Sequence, residues 1–74
     1  MTFAPGQLVW VWLGRYSYLD TRVCAAVVDS IPSENGVMVK FPNSRRETQY
    51  RATEYVFLTR EDAHRALVLR ALRE

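Results

Sequence analysis

Four aromatic residues, Trp12, Tyr16, Tyr18 and Phe41, stand at strand ends and in a loop, where ring faces can be offered to a ligand. Such faces attract cations, each contact being worth about 0.5–2 kcal/mol, and stack on apolar groups or bases. A second set is basic: Lys40, Arg45, Arg46 and Arg51 cluster around one hairpin, and Arg15 and Arg22 can add to it. Guanidinium groups make forked hydrogen bonds to phosphate and carboxylate, and basic groups interleaved with rings suit a nucleic-acid backbone. Both sets also have plainer accounts. The loop rings can simply cap one end of the fold, and the basic residues can be a solvated face balanced by Glu47 and Glu54.

Catalytic chemistry is poorly provided for. Cys24 lies in the middle of an apolar run and reads as a small buried hydrophobe. His64 falls in the second turn of a helix, half exposed, with no partner suggested by spacing. One Cys and one His are too few for a structural zinc site in a single chain. The sequence has no Ser/His/Asp set, no phosphate-binding glycine loop and no paired carboxylates. No catalytic residue, cofactor or metal is expected.

These side chains have to be positioned by short strands and one helix. Leu8-Val9-Trp10-Val11-Trp12-Leu13, closed by Gly14, is a continuous apolar run that predicts a strand covered on both faces. Arg22 to Ile31 predicts a second strand, also apolar on both faces. Pro32 to Gly36 predicts a hairpin turn centred on Asn35-Gly36, the strongest turn signal in the chain. Val37 to Phe41 alternates as a third strand, Arg46 to Arg51 is a more polar fourth, and Tyr55 to Leu58 a brief fifth. With Val9 and Val11 facing inward, Trp10 and Trp12 point outward together with Ala26, Val28 and Met38. Thr59 is a good N-cap, Glu61 and Asp62 favour a helix start, and Arg60 to Arg73 has no Gly or Pro. The doubly apolar first strands predict that this helix docks outside them, over Trp10, with Trp12 closer to the exposed strand end.

The pattern resembles a known family. Gly6-Gln7-Leu8-Val9-Trp10-Val11 is similar to the opening of Tudor and PWWP domains, Ala25-Ala26-Val27-Val28 to their second strand, and Val37 to Phe41 with Asn43 to their third strand and turn. Tyr55 to Leu58 sits where their last strand closes the barrel. The resemblance covers residues 6–58 and implies a mainly β fold, a five-stranded SH3-like barrel followed by one C-terminal α-helix. Two positions depart from it: residues 17–21 lack the Pro-Trp-Trp-Pro-like motif, and Ser44 stands where Tudor domains carry a further cage aromatic. The family would place its aromatic ligand pocket at Trp12, Tyr16, Tyr18 and Phe41, here with an incomplete cage.

Seventy-four residues make one domain, residues 1–74, with the barrel at about 6–58 and the helix at about 60–73. No signal peptide or membrane span is legible, and the single Cys fits a reducing compartment, so a cytoplasmic protein is expected. Ten basic against eight acidic residues give only +2, too little for a large single-sign field. The leading expectation is a non-catalytic module that binds a protein or peptide at the aromatic end of the barrel. Nucleic-acid binding through the Arg45/Arg46 region is the alternative. An enzyme whose site forms only on oligomerisation, as in the type II dihydrofolate reductases of similar fold, comes last. The apolar fraction of 49% and the broad apolar side of the helix favour a homodimer.

Overall fold

Pro5-Gly6 forms a turn ahead of the first strand. Pro5 presets its own φ, Gly6 takes a φ of 87°, and the Gln7 amide donates to the Ala4 carbonyl at 3.1 Å, the pattern of a type II turn. The Gln7 side-chain oxygen accepts from the Ala4 amide at 3.0 Å. This turn brings Phe3 into the core, where it is 6% exposed. The computed structural model describes residues 3–14, 21–42 and 48–73.

Five strands follow: β1 (Leu8–Leu13), β2 (Arg22–Ser33), β3 (Gly36–Lys40), β4 (Thr48–Ala52) and β5 (Val56–Phe57). They form one antiparallel sheet in the order β4-β3-β2-β1-β5. A single turn of 3-10 helix, Thr53–Tyr55, joins β4 to β5, and the helix α1 (Arg60–Arg73) ends the fold. The fold is mainly β, with five strands and one C-terminal helix, as the sequence predicts. Closure into a barrel is not found among the described residues: β4 and β5 are the two edges of an open sheet.

Register explains which residues became core. Val9 pairs with Ala26 and Val28 with Val39, so Val9, Val11, Ala26, Val28, Val37 and Val39 share one face with Phe3 and Val56. This corrects the expected placement of Ala26 and Val28 beside the tryptophans. Directly paired residues of an antiparallel ladder lie on the same face, and a strand apolar on both sides has no alternation from which to read that pairing. Met38 does lie on the other face, opposite Tyr50.

The opposite side of β1 carries Trp10 and Trp12, and α1 covers it. Trp12, Ala63 and Leu67 form a second buried cluster, flanked by Trp10, Val23, Tyr55, Phe57 and Ala66. The helix was expected over Trp10. It buries Trp12 more completely, leaving it 3% exposed, while Trp10 is half-buried. The helix start follows the predicted chemistry, the Asp62 amide donating to Thr59 Oγ1 at 3.1 Å.

The β2–β3 hairpin slips by one residue from its predicted turn. Ser33 pairs with Gly36, so Glu34 and Asn35 form the loop and Gly36 opens β3. Two irregularities, between Val28 and Ser30 and between Ser30 and Ser33, let β2 run through Pro32, which has no amide to give the ladder. Gly36 is needed for closeness: a Cβ there would collide with the ring and hydroxyl of Tyr50.

Candidate functional site

The expected aromatic site is divided by the sheet. Trp12 sits under α1, its indole Nε1–H donating to the Ala63 carbonyl at 2.9 Å. Its ring lies 5.5 Å from that of Tyr55 and 5.4 Å from that of Phe57, both tilted. Phe41 instead packs against the valine cluster on the other face. Trp12 and Phe41 therefore do not converge, and Trp12 is withdrawn from the candidate ligand surface as a core residue. The sequence missed this because the indole N–H found a helix carbonyl, which binary pattern alone does not reveal. Tyr16 and Tyr18 lie outside the described residues.

The basic set is divided as well. Lys40 is exposed and pairs with Thr48. Arg51 pairs with Val37 and so shares the face of the valine core. Its guanidinium lies over the Phe41 ring, 5.9 Å from the centroid, donating to Gln49 Oε1 at 2.7 Å and to the Tyr50 carbonyl at 3.0 Å. Lys40 and Arg51 thus point to opposite faces of β3–β4, and the described part of the basic hairpin is not one patch. Arg45 and Arg46 lie outside the described residues.

What remains around Phe41 is a shallow groove of ≈ 280 Å³ walled by Val27, Val28, Phe41 and Pro42, with Asp29 and Lys40 on its rims. It arises where β2 and β3 leave their regular ladder: Val27 pairs with Lys40, and the chain turns away at Pro42. Among the described residues its walls are apolar and its two charges are of opposite sign. A side chain of an extended segment fits such a groove; a polyanion would meet Asp29.

Elsewhere, Cys24 is a half-buried free thiol within β2. Among the described residues no three His, Cys, Asp or Glu side chains gather as metal ligands, and no helix is long and apolar enough to cross a membrane. Comparison with family models, with curated proteins and with solved structures found no match to this chain.

Proposed function

We propose that this chain is a small SH3-like binding module of Tudor/PWWP type that receives a peptide segment of a protein partner in the groove beside Phe41. The barrel reading is supported by the pairing of the last strand with the first: Trp10 stands opposite Phe57 and Val11 opposite Val56, so the meander folds back on its own beginning. The ligand reading rests on one observation, the apolar groove of Val27, Phe41 and Pro42 bounded by Lys40 and Asp29. Apolar walls with one charge of each sign favour a peptide over nucleic acid, whose phosphates gain only from the cation.

Selection of a random peptide display library against the folded chain tests the proposal, with Phe41→Ala and Lys40→Glu as counter-targets. Selected peptides should bind the wild-type chain and lose about 1–3 kcal/mol of affinity on Phe41→Ala. Lys40→Glu, at an exposed position, should change the charge of the residues selected beside the apolar anchor. Peptides indifferent to both substitutions would place the contact elsewhere, and a single-stranded oligonucleotide binding more tightly than any peptide, with steep salt dependence, would replace this reading by the nucleic-acid one.

A further inference from the structure

On the helix side of the sheet, a groove of ≈ 390 Å³ runs between the start of β2 and the first turns of α1. Its walls are Thr21, Arg22, Val23, Arg60, His64 and Leu67, and it shares no residue with the groove at Phe41. Arg60 and His64 are one helical turn apart, so their side chains stand on the same side of α1. Arg22 approaches from the sheet. Leu67 is buried and Val23 half-buried, and both belong to the cluster that fixes the helix on β1 and β2. The polar groups are thus held by two packed elements.

Three features of this groove point to an anion. Neither Arg22 nor Arg60 forms an ion pair, the one pair among the described residues being Arg65–Asp62. The Thr21 hydroxyl is buried and has no hydrogen-bond partner. A buried hydroxyl without a partner is costly, so an acceptor or donor arriving there is favoured. Among the described residues no carboxylate lines this groove; Glu61 lines the adjoining groove that Arg60 and His64 also border.

We infer that this groove binds the phosphate group of a phosphomonoester. Thr21 and Arg22 line the groove from the start of β2, and Arg60 and His64 line it from α1. Together they offer more donors, in more directions, than the two oxygens of a carboxylate can use, whereas the three free oxygens of a phosphomonoester can accept from all of them. The groove extends beyond the ion itself, leaving space for the ester substituent.

The test is a titration of the full chain followed by amide chemical shifts, using inorganic phosphate, phosphoserine and acetate at matched ionic strength. Saturable shifts at Thr21, Arg22, Arg60 and His64 are expected with both phosphates, with acetate binding at least about tenfold more weakly. The double variant Arg22→Ala with Arg60→Ala should keep the wild-type melt, since both residues are exposed, and lose the saturable shifts. Thr21→Val should weaken them without removing them. Equal response to acetate, non-saturable shifts spread over all the arginines, or unchanged binding by the double variant would each overturn the assignment.

Discussion

Trp12 combines a buried ring with a polar tip that is satisfied by the Ala63 carbonyl. Trp12→Phe keeps most of the ring contact with Tyr55 and Phe57 and removes the N–H. Because the Ala63 carbonyl keeps its helical environment, the expected loss is about 1–2 kcal/mol, against about 3–5 kcal/mol for Trp12→Ala. Urea melts of the two variants check this order, and a Trp12→Phe protein as unstable as the Ala variant would contradict it. Gly36 offers a second test at this scale. The ring of Tyr50, itself 53% exposed, lies over the bare backbone of Gly36, so Gly36→Ala must push that ring aside. A loss of about 1 kcal/mol is expected, and almost none when Tyr50→Ala is already present. A double-mutant cycle with no coupling would mean that the ring does not hold this position in solution.

At the scale of elements, α1 depends on its cap and on the face it covers. Thr59→Ala removes the acceptor for the Asp62 amide and should cost about 0.5–2 kcal/mol by thermal melting. Truncation before Thr59 uncovers Trp12 and should cost several kcal/mol or abolish folding; a stable, soluble chain ending at Leu58 would contradict the packing described. The existence and order of these elements were legible because strands and helix differ in period and because Thr59 and Asn35-Gly36 are local signals. Their relation to one another was less so. In β2 both faces are apolar, so Ala26 and Val28 carried no mark of the face they take. Asn35-Gly36 marked a turn but not its register, which the contact between Gly36 and Tyr50 accompanies at the start of β3. Arg51 read as a solvated cation, yet alternation from Val37 and Val39 turns it inward, where Phe41 and Gln49 receive it. The same pairings put Trp12 and Phe41 on opposite faces, while Tyr16 and Tyr18 of the expected aromatic site lie outside the described residues. The polar groove of Thr21, Arg22, Arg60 and His64 was not legible, because it joins residues some forty positions apart.

For the molecule as a whole, the cohesion seen among the described residues is apolar. The ion pair between Arg65 and Asp62 spans 3.9 Å with both side chains largely exposed, so it contributes little. Urea midpoints should therefore hardly move between low and physiological sodium chloride; a marked fall would reveal ionic contributions not accounted for by this pair. Leu72 is 79% exposed near the end of α1, and Leu69 is 50% exposed beside it. Leu72→Glu should leave the melt of dilute protein unchanged. Sedimentation at high concentration then decides the expected homodimer: a dimer that Leu72→Glu dissociates places the contact on this face. The bond from Trp12 to Ala63 joins residues 51 positions apart. Contacts of such separation require the intervening chain to be ordered first, and they form late. During synthesis, β1 is therefore made long before the element that shelters its indole. A growing chain must carry that ring uncovered until α1 emerges, so a collision with another nascent chain is most dangerous just before the last helix is finished.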